Sequence, residues 1–593
     1  MRTRTVALLA IAALGVMIPA APATAASPVE TLLGRMTLAE KVGQLFTTYA
    51  YGSDATAPSA ADAAANRRLF GVDTPAEVVA KYHLGGVIYF AWTNSLQNTR
   101  QIATLSNGLQ AAATGTGAAT GTATATGTGV PLTISTDQEH GVVTRMPAPA
   151  TQFPGGMAIG AGRNPVDAYR TGKVTGAELR AVGINQAWAP VADVNVNPAN
   201  PVIGVRSFSS DPGLAAALTA SQILGLQVGA NTSASAKHFP GHGDTATDSH
   251  TGLPVITHSR EEWQRIDAPP FRAAIAAGAD AIMSAHIVVP ALDPAGDPAT
   301  LSKPILTGLL RGELGYRGVI VTDSLEMAGV RQKYGDARVP VLALQAGADM
   351  LLMPPNMQVA YDAVLGAVAS GELTEARIDQ SVRRILTLKQ KRGLLSWTPV
   401  DPAAAERSVG SAEHVRVARA VTDRTVTAIR NDANLLPWSG AGKSVLVTGW
   451  NSSAYNNVAV LAGALKGTPL VTGLPNDAKI AEAVTAAGSH DLTVVLTSKA
   501  WDTTVTDPGG RQQALVKALV ATGKPVVVVA VRDPYDIVAL PDVTTYLATY
   551  SYTGVAMESL AKVIVGATAP RGKLPVEIPA LFPYGYGLTW SVR

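Results

Sequence analysis

At 593 residues the chain is longer than one ordinary hydrophobic core can organise, so two or more domains are expected. Hydrophobic residues make up 47% and charged residues 15%, a composition that excludes an intrinsically disordered chain. Setting aside Arg2 and Arg4, 45 of the 47 basic side chains remain against 44 acids, a near balance that gives no reason to invoke nucleic acid as a partner.

The chain opens with Arg2 and Arg4, an apolar run from Val6 to Ala20, and then Ala21-Pro-Ala-Thr-Ala-Ala26. This order of charge, apolar stretch and small residues is that of a secretory signal peptide, so residues 1–26 are expected to be removed and the protein secreted. The run is short and broken by Pro19 and Pro22, which argues against a stable membrane anchor. There is no cysteine, hence no disulfide, no thiolate metal site and no lipid-bearing thiol.

Short apolar runs then recur at Gly43–Thr47, Gly86–Phe90, Pro131–Thr136, Ile184–Pro190, Ser235–Phe239, Ala281–Val288, Gly318–Thr322 and Asp349–Met353. Helical patterns lie between them, including Pro165–Val182, Pro212–Val228 and Glu261–Ala277. Eight strand-like runs alternating with helices predict an α/β fold, a parallel (β/α)8 TIM-type barrel over 27–397. An open doubly wound sheet also alternates in this way, and the count of eight favours the barrel. The tract Ala111–Gly129, almost all Ala, Gly and Thr, reads as a flexible surface loop. Residues 398–440 read as a linker and lead-in helix, the helix running from about Ala412 to Arg430. A smaller α/β sandwich over 441–593 follows, with strands at Ser444–Thr448, Leu492–Thr497, Pro525–Val531 and near Thr545–Tyr550.

Polar residues gather at the C-terminal ends of the first set of runs: Asp137, Asp193, Lys237 with His238, His286 and Asp323. In a barrel those ends share one mouth, where active sites lie. The densest cluster, Lys237 to His250, holds three of the chain's nine histidines in fourteen residues broken by Pro240, Gly241 and Gly243. Within it, the Asp248 carboxylate can fix the tautomer of His250, leaving an imidazole able to give and take a proton near neutrality. An isolated Asp-x-His is more simply a turn with an exposed histidine; beside Lys237, His238 and His242 the chemical reading is the stronger. His238 and His242 are four apart, but Pro240 and Gly241 spoil the helix that would align them, and Lys237 adds a cation, so no metal is expected. Asp323 follows a buried strand and can attack a sugar's anomeric carbon, or merely cap the next helix. Arg206 is a loop cation whose plainer role is a surface ion pair. Asp137 can grip sugar hydroxyls or form a turn, and His286 is as easily a satisfied core histidine as a site residue.

Together these residues resemble glycoside hydrolase family 3, in its β-N-acetylhexosaminidase (NagZ-like) branch. The resemblance is carried by Lys237 to Asp244 with Asp248-Ser-His250, by Val321 to Met327 and by Ile203 to Phe208. Gly572 to Pro575 and Phe582 to Leu588 look like the family's closing motifs. It implies a retaining exo-β-N-acetylglucosaminidase with no cofactor, with Asp323 as nucleophile and His250, oriented by Asp248, as acid and base. Lys237, His238, Arg206 and Asp137 would bind the terminal sugar, and His286 is counted with them as a substrate-binding residue. The substrate would be a glycan ending in N-acetylglucosamine, from chitin oligosaccharides or peptidoglycan fragments. A β-glucosidase, a phosphorylase using phosphate as acceptor and a non-catalytic glycan-binding protein are the alternatives. One departure is His140 in Asp137-Gln-Glu-His-Gly-Val-Val143, where the family commonly has a small residue, with Val142 in place of an arginine.

Overall fold

The computed structural model describes residues 27–116, 128–249, 251–440 and 442–592. The expected signal peptide, most of the Ala/Gly/Thr tract and His250 lie outside the described residues. The first four residues of that tract are not loop: they complete the helix Thr99–Thr114, whose Gln110 is tied to both backbone groups of Leu132. Alanine is the best helix former, so a helix runs on into the tract.

Eight strands form the first sheet: β1 (Phe46–Thr48), β2 (Gly86–Ile88), β3 (Thr133–Thr136), β4 (Gln186–Ala187), β5 (Ser233–Phe239), β6 (Ala281–Ser284), β7 (Val319–Thr322) and β8 (Leu351–Leu352). All neighbouring pairs are parallel in the order β7-β6-β5-β4-β3-β2-β1-β8. The ends of that order meet through the Val321–Met350 bridge and the Thr322 N–H to Met350 carbonyl bond of 3.0 Å, closing a (β/α)8 barrel. Every residue of these strands is buried, as expected where helices cover a parallel sheet from outside. β7, Val-Ile-Val-Thr, is wholly β-branched and suits this setting.

Helix starts are written locally. Asp211 accepts from the Leu214 N–H with Pro212 at the first helical position, and Thr74 forms a reciprocal capping box with Glu77. The helix expected over Glu261–Ala277 is two, Arg260–Ile266 and Ala268–Ala276, broken at Asp267 just ahead of Pro269 and Pro270. The pattern at Pro212–Val228 is likewise α-helix only to Leu224, then a wider turn over Gly225–Gly229.

The second sheet has six strands: β9 (Thr427–Asn431), β10 (Val445–Gly449), β11 (Thr468–Val471), β12 (Leu492–Thr497), β13 (Val526–Ala530) and β14 (Thr545–Ala548). Their order is β11-β10-β12-β13-β14-β9, parallel except for antiparallel β9. The lead-in helix ends at Thr422, not near Arg430, because the chain turns at Asp423–Thr425 and enters β9. The second unit therefore begins within the segment expected to be linker. β11 was not expected at all. Helices cover both faces of this sheet, giving two cores.

One of those cores is shared with the barrel unit. Met157, Ala158, Ala161 and Val205 join Ile429, Tyr535, Tyr546 and Leu574 in a single buried cluster. The backbones also meet, since the Ser209 hydroxyl and the Ser210 N–H both bond the Pro575 carbonyl at 2.6 and 3.0 Å. The second unit thus backs the loop that carries Arg206.

Candidate active site

The C-terminal ends of β2, β3, β5, β7 and β8 open into a cavity of about 400 Å3. Asp137, Glu139, Arg145, Arg206, Lys237, His238, His242, Asp323 and Glu326 are among its lining residues, with Phe90 and Trp92 at one wall.

The floor is a charge network, buried at Lys237 and Glu139 and partly open at Asp137 and Arg206. Lys237 Nζ stands 2.9 Å from Asp137 Oδ1 and 2.7 Å from Glu139 Oε1. Arg206 grips Glu139 through two parallel bonds, Nε to Oε2 at 2.8 Å and Nη2 to Oε1 at 2.9 Å. Burial alone would push the Glu139 carboxyl up; Arg206 and Lys237 outweigh it and hold the group far below the usual carboxylate range. Burial acts against the charged forms of Arg206 and Lys237 too, and their acidic partners reverse it, so both stay cationic. The four side chains of the network line one cavity with N–H donors and carboxylate acceptors, which suits a ligand rich in hydroxyl and amide groups.

His238 is oriented from behind. Asp193, fully buried, takes the His238 N–H at 3.0 Å and its Nδ1 at 2.7 Å, which turns Nε2 toward the cavity. That Nε2 lies 4.0 Å from Asp323 Oδ2. Asp323 stands immediately beyond β7, and Oδ1 accepts from the Ser324 N–H at 2.7 Å. Burial would raise its pKa, but His238, His286, Lys237 and that amide together hold it below the ordinary aspartate value. The group is therefore an anion at neutral pH, facing a cavity. The helix-capping role that the sequence allowed is absent: the helix Ala328–Tyr334 has no side-chain cap.

His286 is fully buried and outside the cavity lining. Its Nε2 bonds the Ser324 carbonyl at 2.9 Å and Nδ1 meets Thr300 Oγ1 at 2.8 Å, so it holds the turn behind Asp323. The expectation that it touches substrate gives way to a positioning role.

The segment after β5 folds back along the cavity. His242, left without a task by sequence, donates its backbone N–H to Asp193, and its ring spans Thr245 Oγ1 (2.8 Å) and Ser249 Oγ (3.0 Å). Burial pushes its pKa down to about 4, so it is a neutral strut. Gly243 is required by contact: a methyl there would overlap the Val194 carbonyl, and one on Gly241 (φ +131°) would stand 2.7 Å from the Asp267 carboxylate. Asp244, also unassigned by sequence, meets His258 Nε2 at 3.1 Å, while His258 Nδ1 meets Asp267 Oδ2 at 2.7 Å. This Asp-His-Asp clamp ties the segment to the helix pair 260–276. Ser249 lines the cavity, which brings the Asp248 neighbourhood to its edge. Asp248 is described; His250 lies outside the described residues.

The structure thus brings Asp137, Arg206, Lys237, His238 and Asp323 to one cavity. Glu139, which links Lys237 to Arg206, was missed although it lies within the Asp137-Gln-Glu stretch singled out in the sequence. His140, the departure noted there, turns away: it is buried edge-on to Phe153, bonds Thr175 Oγ1 at 2.7 Å, and burial pushes its pKa down to about 3. Among the described residues no group of three or more His, Cys, Asp or Glu is placed to hold a metal ion, and no helix is long and apolar enough to cross a membrane.

Residues 37–388 match the model of the glycosyl hydrolase family 3 N-terminal domain, and residues 426–584 that of its C-terminal domain. The chain is 33% identical over 559 residues to beta-hexosaminidase A of Pseudoalteromonas piscicida, covering 85% of this chain and 90% of that protein. It is 29% identical over 579 residues to the beta-N-acetylglucosaminidase/beta-glucosidase of Cellulomonas fimi, covering 93% and 95%. The solved structure of a glycoside hydrolase family 3 beta-N-acetylglucosaminidase from Paenibacillus sp. str. FPU-7 superposes with a TM-score of 0.79 at 37% identity, covering 92% of this chain and 99% of that one.

Proposed function

The chain belongs to glycosyl hydrolase family 3, and from that premise we propose that it is an exported, retaining exo-β-N-acetylglucosaminidase. The observation that carries the reading is Asp323: a largely buried carboxylate kept ionised at a strand end, facing a cavity lined by Asp137, Lys237, Arg206 and His238. In the first step the Asp323 carboxylate attacks the anomeric carbon while His250 gives its proton to the departing glycosidic oxygen. The products are a glycosyl ester on Asp323 and a neutral imidazole. In the second step that imidazole takes a proton from water, whose oxygen displaces Asp323 and regenerates the imidazolium. Two inversions return the β configuration. Asp248 would orient His250, and the Asp137-Lys237-Glu139-Arg206 network would hold the terminal sugar and its acetamido group.

The relatives named for β-N-acetylglucosaminidase activity support the choice of sugar. The substrate would be a glycan with terminal β-linked N-acetylglucosamine, as in chitin oligosaccharides or peptidoglycan fragments. One of those relatives is also named a beta-glucosidase, which favours β-glucosides as a second substrate class. Both readings are tested by kcat/KM on aryl N-acetylglucosaminide and aryl glucoside, with the anomer of the released sugar followed by NMR. Faster turnover of the first with a β product is expected; an α product would refute the retaining mechanism. Export rests on the pattern of residues 1–26. N-terminal sequencing of protein from the culture medium should begin near Ala26, and retention of Met1 would refute it.

A further inference from the structure

Trp92 is half exposed, 51%, and the sole aromatic among the large hydrophobic side chains most open to solvent in the described residues. It is also rigid. Its indole stacks on Phe90 (centroids 5.1 Å, planes 21° apart) and is met edge-on by Tyr49 at 4.7 Å and Tyr51 at 5.7 Å. Tyr49 is in turn braced by the edge of Phe70. Leaving the largest apolar side chain in water while fixing it with three aromatic neighbours is costly unless something covers it. Both Trp92 and Phe90 line the cavity that holds Asp323.

The same wall carries Glu326. The Tyr49 hydroxyl donates to its Oε1 at 2.8 Å, and Oε2 has no protein hydrogen bond among the described residues. Burial raises the Glu326 pKa against the weaker pull of Arg331, and among the described residues it has no ion-pair partner: Arg331 is paired with Asp336 at 2.7 and 3.0 Å. Arg145 lies over the ring of Phe90, 5.9 Å from its centroid.

We infer that this wall is the leaving-group subsite: Trp92 is the platform for the sugar ring released on cleavage, Glu326 accepts a hydrogen bond from that ring, and the preferred leaving group is an uncharged pyranose. The inference rests on the exo-glycosidase reading above. There the terminal sugar occupies the deep, charge-lined floor, so the next sugar must lie toward the mouth, where Trp92 stands. The C–H face of a pyranose suits an indole face, and Glu326 offers an acceptor to hydroxyl or amide donors. A carboxylate on the leaving sugar would instead meet an unpaired acid.

The test compares three substrates on the full-length enzyme: N-acetylglucosaminyl fluoride, whose leaving group is a single atom, chitobiose, and the disaccharide in which the reducing sugar bears a lactyl carboxylate. In Trp92→Ala, kcat/KM for chitobiose should fall about ten-fold more than that for the fluoride, with Trp92→Phe between. Wild-type enzyme should prefer chitobiose to the acidic disaccharide, and Glu326→Gln should narrow that ratio. Equal losses on fluoride and chitobiose in Trp92→Ala would overturn the platform. A wild-type preference for the acidic disaccharide would overturn the uncharged assignment and give the wall to Arg145. Wild-type inactivity on the fluoride would overturn the underlying glycosidase reading, and the inference with it.

Discussion

Glu139 is the point where the floor of the site can be tested most severely. It receives three charge-assisted bonds, from Lys237 at 2.7 Å and from Arg206 at 2.8 and 2.9 Å, at a buried position. Glu139→Gln keeps the shape, removes the charge and turns an amide N–H₂ toward one of two cations. Lys237 retains Asp137 at 2.9 Å, but among the described residues Arg206 has no other carboxylate within ion-pair distance. Breaking a buried pair in this way costs about 3 kcal/mol, at the low end of the usual range because one partner stays compensated. If the displaced cations also fail to hold the sugar, kcat/KM on an N-acetylglucosaminide falls by roughly a hundred-fold. The assays are steady-state kinetics and thermal unfolding at pH 7. The sign with pH follows from the depressed carboxylate: its stabilisation is present above the unfolded pKa of about 4.3 and is lost as pH falls through the lower folded value. The variant should therefore differ most from wild type at neutral pH and converge with it in acid. Wild-type kcat/KM and an unchanged midpoint in Glu139→Gln would refute the network as a sugar-holding device.

The Asp244-His258-Asp267 clamp gives a pH signature of the opposite sense. The hydrogen bond to Asp267 raises the His258 pKa, so its stabilisation is full below the unfolded value of about 6.5 and is lost as pH rises through the folded one. His258→Ala should lower the unfolding temperature more at pH 6 than at pH 9; an equal loss at both would contradict this. Gly243→Ala should abolish activity by forcing the loop off Val194, and wild-type turnover in that variant would be inconsistent with the contact. Lys389, fully buried with Gln44 Oε1 as its hydrogen-bond partner, is pushed by burial down to about 7. The unfolded chain then binds more protons between about 7 and 10, so stability rises with pH there. Lys389→Met should flatten that rise, as seen in unfolding curves across the range.

The barrel was legible because its strands are buried on both faces and read as apolar runs; β7 and β5 are the clearest examples. The misses have physical reasons. β11 is a largely exposed edge strand containing Pro469, so it carries no apolar run, and β9 follows a helix whose apolar spacing continues through Val426. At the site, residues at strand ends were readable as a set, since the barrel brings those ends together. Glu139 was not, because a buried acid between two cations looks in sequence like any surface acid. His258 and Trp92 act through partners that only folding assembles: Asp244 and Asp267 for one, Phe90 and Tyr49 for the other.

The most direct measurement of the central claim is covalent trapping. A fluorinated N-acetylglucosaminyl fluoride that slows the second step should leave a stoichiometric glycosyl adduct, and peptide mapping by mass spectrometry should place it on Asp323 within Val319 to Met327. An adduct on any other carboxylate, or full turnover through Asp323→Ala, would contradict the account.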